Sequence, residues 1–358
     1  MTSVNIPTSD QTVKVFAIDK SVIVQVTSIE PYTYREISGT TLDVPAGTFI
    51  RPVYKGSERF HYPAYVYLLR HASGKNVLFD LGIRKDWTNL PPHKVKGVEK
   101  NGWKITTGDN MSKMMAKHDI KVTAVVWSHP HLDHVGDLTT FSKETTLVVG
   151  KNFKTDFMPG YPLDESSGVW DHDFTGRPIQ SIEFENSLNI GGFAAHDFFG
   201  DGSFYLLDTP GHMKSHVCGL ARISSEPSRF AFLGGDIAHH AGQIRPSVYR
   251  PLPIPRPQLC QVDSEDDTSG ATLESSNDAS RVPFYTPSPG VHHDIKALES
   301  SLDAVRRFDA DDRIMILLAH DVSIRQRLEF FPKDIDKCFD KIAHDEIRWG
   351  FIKDFQVV

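Results

Sequence analysis

The sequence predicts an α/β fold in which strands alternate with helices and the chemistry sits on the loops that follow the strands. Three observations predict it: short apolar, β-branched runs recur along the chain, stretches of helical periodicity separate them, and several runs stop abruptly at a His or an Asp. In order, residues 12–17, 21–27, 64–70 and 76–80 read as strands. Residues 110–118 read as a helix, where Met111, Met114 and Met115 at helical spacing are core packing rather than a cofactor contact. Residues 121–127 form a largely buried strand through Val122, Ala124, Val125, Val126 and Trp127, and Gly136 with Leu138 reads as the opening of a helix. Strands are expected at 146–150, around Ile182, at 194–198 and at 204–207, and helices over 295–308 and 332–342. No internal repeat is visible at the residue level.

Directly after the strand 121–127 comes Ser128-His129-Pro130-His131-Leu132-Asp133-His134-Val135-Gly136-Asp137, three imidazoles and two carboxylates in ten residues. In an extended segment alternate side chains point the same way, so His129 and His131 can converge on one cation while the turn re-aims Asp133 and His134 at a second position. Imidazole suits zinc and other borderline cations, and an adjacent carboxylate suits a site that holds a reactive water. A surface cluster of satisfied histidines is the bland alternative, disfavoured by the density and by the apolar strand before it. One loop cannot hold zinc alone, and distant ligands are available. His212 follows the strand 204–207 in Thr209-Pro210-Gly211-His212, Asp236 follows the apolar run 230–233, and His320 follows the apolar run 314–319. Each alone is a commonplace loop residue, but their recurrence in this order behind the dense motif points to one site.

These segments resemble the metallo-β-lactamase superfamily, and within it the branch of acyl-homoserine-lactone lactonases and related esterases, including fungal lactonase- and lactamase-type members. Asn76-Val77-Leu78-Phe79-Asp80-Leu81-Gly82 is similar to that family's early strand, whose Asp supports the metal site. The resemblance covers roughly positions 60 to 325 and implies a four-layer αβ/βα sandwich. It also implies a first metal on His129, His131 and His212, a second on Asp133, His134 and His320, and Asp236 bridging them. The cofactors expected are two Zn2+, chosen because zinc is redox-inert, although manganese, iron or cobalt fits the same donors. His131 stands where flavodiiron proteins place a carboxylate, and the complete second set argues against the single iron of persulfide dioxygenases.

The reaction implied is hydrolysis. Coordination lowers the pKa of water from about 15.7 toward about 7, so a hydroxide bridging two metals would attack a carbonyl, with Asp133 returning the proton to the leaving group. No Gly-x-Ser-x-Gly elbow is present, and none is needed. One departure concerns a Tyr that lactonases of the branch commonly carry three residues beyond the bridging Asp. Here Asp236-Ile237-Ala238-His239-His240 places His239 there, either as a donor to the substrate carbonyl or as a structural histidine.

Composition narrows the function further. With a formal net charge of -7 and no basic run of five or more, nucleic acid is not an expected partner. No stretch of about eighteen apolar residues suggests a membrane span, and residues 1–7 lack the basic and apolar regions of a signal peptide. Only Cys218, Cys260 and Cys338 occur, which suits a cytoplasmic location. The expected architecture is one domain, residues 1–358, carrying two additions. The segment 151–176, with Phe153, Phe157, Tyr161, Trp170, His172 and Phe174, reads as an aromatic specificity loop walling the pocket. Residues 245–290 read as a polar insertion, Pro-rich to Pro257 and Ser/Asp/Glu-rich over 263–280, and residues 42–60 offer a further wall.

The reading is therefore a dinuclear zinc hydrolase opening a small, partly apolar lactone or lactam, with a small-molecule partner and the oligomeric state, a homodimer included, left open. The alternatives are an organophosphate or aryl-ester hydrolase using the same metals, and a non-catalytic protein that binds metal or sequesters a ligand.

Overall fold

The structure, a computed structural model, describes residues 3–19, 41–184, 188–255, 257, 278–325 and 327–355. The expected strand at 21–27 and most of 263–280 lie outside them. Two six-stranded sheets face each other. The first contains, in spatial order, Val13–Asp19, Tyr65–His71, Asn76–Phe79, Ala124–Trp127, Thr146–Val149 and Ile179–Ser181. The second contains Asn189–Ile190, Phe193–Asp197, Phe204–Asp208, Val217–Ser225, Ser228–Leu233 and Ile314–Leu317.

Alternation along each strand divides the apolar residues between two faces. Val13, Val15, Tyr67, Phe79 and Val126 of the first sheet meet Phe204, Leu206, Ala221, Ala231 and Leu317 of the second in the central core. On the outer face of the first sheet, Val66, Leu68, Leu78 and Val125 pack against Met111 and Met115 of the helix Met111–Lys117, so the methionine stripe is core. On the outer face of the second, Leu220, Phe232 and Ile316 pack against Leu298, Leu302, Val305 and Phe308 of the helix Ile295–Asp309. Asp294 caps that helix, accepting from the backbone N–H groups of Lys296 and Ala297 at 3.0 Å. Helix, sheet, sheet, helix is the four-layer αβ/βα sandwich. No described helix is long and apolar enough to cross a membrane.

Several local expectations need correction. The α-helical turn near the dense motif is Leu132–Val135, inside it, and Gly136 ends rather than opens it; what opens at Leu138 is a 3-10 turn, Leu138–Thr140, capped by Asp137. At Gly136 φ is 55°, and a Cβ would stand 2.5 Å from that of Leu81. Residues 332–342 are not one helix: a 3-10 turn spans Asp336–Phe339 and the α-helix runs Lys341–Trp349. Backbone bonding accounts for the break, because Phe331 N–H just before the segment donates to Ala17 O and Ile335 N–H to Val15 O, which lays its first part along an edge strand, while the local bonds that remain, Cys338 N–H to Ile335 O and Asp340 N–H to Lys337 O, make only a 3-10 turn. The strand Val217–Ser225, the helix Pro92–Lys100 and a small sheet of Thr41–Pro45, Arg59–Pro63 and Lys104–Thr106 complete the positions that matter below.

The ends of 245–290 are built into the protein rather than laid on it. Arg245 is buried and donates to Asp309 at 2.7 and 2.9 Å, while Phe284 and Tyr285 are buried with Phe49, Tyr54 and Phe355 in a fourth apolar cluster.

Candidate metal centre

All the strand ends that matter open on one edge of the sandwich. The parallel neighbours Asn76–Phe79 and Ala124–Trp127 deliver Asp80 and Ser128-His129 side by side. The parallel pair Ser228–Leu233 and Ile314–Leu317 delivers Asp236 and His320 likewise. Gly235 makes the last approach feasible: its φ is 49°, and a Cβ there would stand 2.9 Å from the His216 ring and 3.0 Å from Ser128.

The seven residues singled out in the sequence converge as two groups sharing one carboxylate, His129, His131, His212 and Asp236, and Asp133, His134, Asp236 and His320. In the first, His129 Nε2 lies 2.9 Å from His131 Nδ1 and 3.2 Å from His212 Nε2, and the last two are 3.0 Å apart. Asp236 Oδ2 faces His129 and His212 at 3.6 Å. Its other oxygen, Oδ1, faces His134 Nε2 at 3.1 Å and His320 Nε2 at 3.0 Å, and Asp133 Oδ2 is 3.2 Å from His320 Nε2.

Partners behind the rings fix which nitrogen carries the proton. His134 Nδ1 is 2.8 Å from Asp80 Oδ2, and His320 Nδ1 is 2.6 Å from the Pro63 carbonyl, so both Nδ1–H groups donate there and Nε2 is the atom each ring turns to the ligand group, as a lone pair once a cation displaces its proton. Asp80, held at φ 62°, also accepts from Ser128 N–H at 2.7 Å and Ser128 Oγ–H at 2.8 Å, which places it in the supporting position the family resemblance implies. Asp236 is supported in turn, since its N–H donates to His216 Nε2 at 3.1 Å while His216 Nδ1 faces Thr209 Oγ1 at 2.8 Å.

Such an arrangement calls for a cation. Three imidazole nitrogens about 3 Å apart are suited to a common ion, given zinc–nitrogen bonds of about 2.0–2.1 Å. His134 Nε2 and Asp236 Oδ1 are buried 3.1 Å apart without a well-aligned hydrogen bond between them, a pairing that a cation held by both atoms would complete. Electrostatics agrees. Burial, then neighbouring imidazoles, holds His129 and His212 well below the ordinary histidine range, and burial with the Lys94 charge lowers His131 to about 4, so these three are neutral donors. Against the same burial, Asp236, Asp80 and Asp133 push His134 well above that range, and Asp236 and Asp133 raise His320 to about 10. The second group thus demands positive charge, which a divalent cation supplies.

A cleft of about 390 Å³ opens over the groups, reaching His131, Asp133, His212 and Asp236 at its floor. A family model, Metallo-beta-lactamase superfamily, matches residues 60–315. The chain belongs to the metallo-beta-lactamase superfamily. Like the members it matches, this metallo-beta-lactamase chain is a hydrolase with His/Asp groups able to bind metal. It is 37% identical over 365 residues to the gamma-lactamase FDB1 of Fusarium pseudograminearum, a match covering 98% of this chain and 84% of the relative. It is also 37% identical over 325 residues to the metallo-hydrolase mfmC of Annulohypoxylon moriforme, covering 89% of this chain and 85% of the relative. A solved quorum-quenching N-acyl homoserine lactone hydrolase shares the fold, with a TM-score of 0.56 at 13% identity over 91% of this chain and 100% of that one.

The rest of the surroundings sorts the remaining expectations. His239 is buried beside both groups, with Nε2 3.2 Å from Asp236 Oδ2, its ring stacked on Phe49 at 4.2 Å, and neither ring nitrogen hydrogen-bonded. His240 points away: Nδ1 accepts from Gly242 N–H at 2.9 Å and Nε2 meets Asp354 at 3.1 Å, a structural role. Of the two expected walls, 42–60 supplies Leu42 and Phe49 to the cleft, whereas no cleft-lining residue comes from 151–176. The aromatics of that loop are needed elsewhere. Phe153 and Phe174 fill the core beneath Trp127, and Trp170 stacks on His172 while its indole N–H donates to Asn89 O at 2.8 Å. Three site residues escaped the sequence reading. His292 has Nδ1 3.0 Å from His212 Nδ1, His216 supports Asp236, and Lys94 reaches the cleft from the helix Pro92–Lys100. The only sequence signal was the spacing of His216, four residues after His212.

Proposed function

We propose that this chain is a dinuclear zinc hydrolase that opens a small cyclic amide or ester, with His129, His131 and His212 holding one ion, Asp133, His134 and His320 the other, and Asp236 spanning both. The observation that carries the proposal is the division of Asp236: one carboxylate oxygen faces each ligand group at the floor of a single cleft. The gamma-lactamase relative, similar over nearly the whole chain, supports the cyclic-amide class.

When bound, the pair of cations supplies a water acidified toward a pKa of about 7 and polarisation of the substrate carbonyl. The chain does the remainder. Asp133 lines the cleft with its carboxylate held well ionised, because His134 and His320 outweigh the burial that would protonate it. With Oδ2 turned to the ligand group, its other carboxylate oxygen can accept a proton as attack proceeds and release it to the departing nitrogen or oxygen. His239, stacked on Phe49 with Nε2 3.2 Å from Asp236 Oδ2, lies behind the residues that line the cleft, and a small ring rotation would let Nε2 donate to the carbonyl oxygen as negative charge develops. Leu42, Phe49, Val98, Trp103 and Val291 make the walls apolar, which suits a compact ring with a hydrophobic substituent and keeps bulk water away. Zinc-loaded protein assayed against γ-lactams, γ-lactones and phosphotriesters tests the reading. Turnover of the cyclic substrates is expected; turnover of phosphotriesters alone would replace it.

A further inference from the structure

The helix Pro92–Lys100 forms one side of the cleft and presents His93, Lys94, Gly97 and Val98 to it, residues one turn apart or adjacent on a single face. Lys94 is anomalous among these walls. Its stem lies against Gly168, where a Cβ would stand 2.5 Å from Lys94 Cε and 3.0 Å from Nζ, so the absence of a side chain at 168 makes the channel in which the lysine runs. No hydrogen bond or ion pair to a described residue engages its ammonium, and Asp133 is the one carboxylate whose charge acts on it. The two carboxylates lining the cleft, Asp133 and Asp236, both belong to the ligand groups. A partly buried ammonium in an apolar cleft with no carboxylate of its own is a standing demand for an external anion.

We infer that Lys94 is a substrate-recognition residue and that the cleft is built for a cyclic ester or amide bearing a carboxylate. That group lies on the leaving-heteroatom side of the scissile bond, the side of Asp133 and Lys94. The inference rests on the hydrolase reading above and specifies its substrate class. The scissile carbonyl goes to the ligand groups at the floor, the apolar part of the ring to Phe49 and Trp103, and the carboxylate to Lys94 Nζ. The segment 151–176 then contributes to specificity indirectly, by the room Gly168 leaves.

The test compares 5-oxotetrahydrofuran-2-carboxylate, a γ-lactone with a carboxylate beside its ring oxygen, with the neutral 5-oxotetrahydrofuran-2-carboxamide. Both are offered to the zinc-loaded full chain. In parallel, equilibrium binding is measured for the non-hydrolysable ketones 3-oxocyclopentane-1-carboxylate and its carboxamide. Wild type should prefer the carboxylate in both assays. Lys94→Met should raise KM for the carboxylate lactone, and Kd for the carboxylate ketone, by roughly 10- to 100-fold, the worth of a hydrogen bond between charged groups. Changes in kcat and in kinetics for the carboxamide should be small beside that shift and alike for the two lactones, and Lys94→Arg should restore most of the preference. Equal binding of the two ketones by wild type, or a Lys94→Met variant that keeps the carboxylate preference, overturns the inference. A loss of kcat on both lactones also overturns it, since that assigns Lys94 to the leaving-group step. Lys94-dependent binding of the carboxylate ketone without turnover of either lactone leaves the inference standing and removes the hydrolase reading instead.

Discussion

Replacing Asp80 by Asn should weaken metal binding at the second ligand group much more than at the first, although Asp80 lies in neither. The buried carboxylate accepts three hydrogen bonds, from Ser128 N–H, Ser128 Oγ–H and His134 Nδ1–H. Asn has nearly the same shape, but its carboxamide has one acceptor oxygen. If that oxygen keeps Ser128 N–H, the NH2 group meets His134 Nδ1, and two donors cannot face each other. His134 can escape by moving its proton to Nε2, which turns that proton toward Asp236 Oδ1, 3.1 Å away, and removes the lone pair a metal needs. The cost is one hydrogen bond to a charged group, about 1.5–3 kcal/mol, or roughly 10- to 100-fold in affinity for the second ion. His129 Nδ1 meets Ser128 Oγ at 3.0 Å, and that oxygen can still accept from it when the Asn NH2 replaces the Asp80 oxygen, while His131 and His212 do not touch Asp80, so the first ion should be affected much less than the second. Zinc titration against a competing chelator should show two affinities in wild type and a weakened second one in Asp80→Asn. Nitrogen-15 spectra of His134 should report the tautomer directly. Two unchanged affinities would refute this reasoning.

Three further outcomes are expected from the same geometry. His239→Ala should leave metal content intact and lower turnover by about 10- to 1,000-fold if its ring donates to the carbonyl oxygen; unchanged kinetics would make it a packing residue under Phe49. Asp133→Asn keeps one oxygen for a metal but loses the base, so cyclic amides should slow more than activated esters when both ions are retained, and an equal effect on all substrates contradicts the proton path. Away from the centre, burial, opposed by Arg84 and reinforced by Asp137, raises the Asp173 carboxyl to about 7. A folded pKa above the unfolded value gives stability that is full below about 4 and lost as pH rises through about 7. Chemical denaturation of wild type should therefore show declining stability across that window, and Asp173→Asn should flatten the decline; parallel profiles would count against it.

Much of this site is legible in the sequence because its parts obey strong local rules. A dense His/Asp motif after an apolar strand has few other uses, and Pro210-Gly211 or Gly234-Gly235 ahead of a ligand marks a sharp strand end. Properties that serve more than one purpose are harder to assign. Aromatics suit core and pocket equally, so Phe153 and Phe174 read as pocket wall although they pack beneath Trp127. Residues 332–342 have helical composition, yet the edge strand Val13–Asp19 takes the N–H groups of Phe331, just before them, and of Ile335, a long-range competition with no trace in periodicity. His292 reaches His212 because His293 N–H bonds to His212 O and Asp294 N–H to Gly211 O, a loop pairing across about eighty residues. Lys94 looks like any helix-surface lysine until Gly168 and the cleft are seen around it.

The central claim is that two ions on these seven residues perform hydrolysis, and one titration tests it most directly. Metal-free protein is supplied with increasing zinc while bound metal and γ-lactam or γ-lactone opening are measured on the same samples. Binding should saturate at two ions per chain, with turnover rising chiefly as the second site fills. Saturation at a single ion, or two bound ions with no ring opening, would contradict the account.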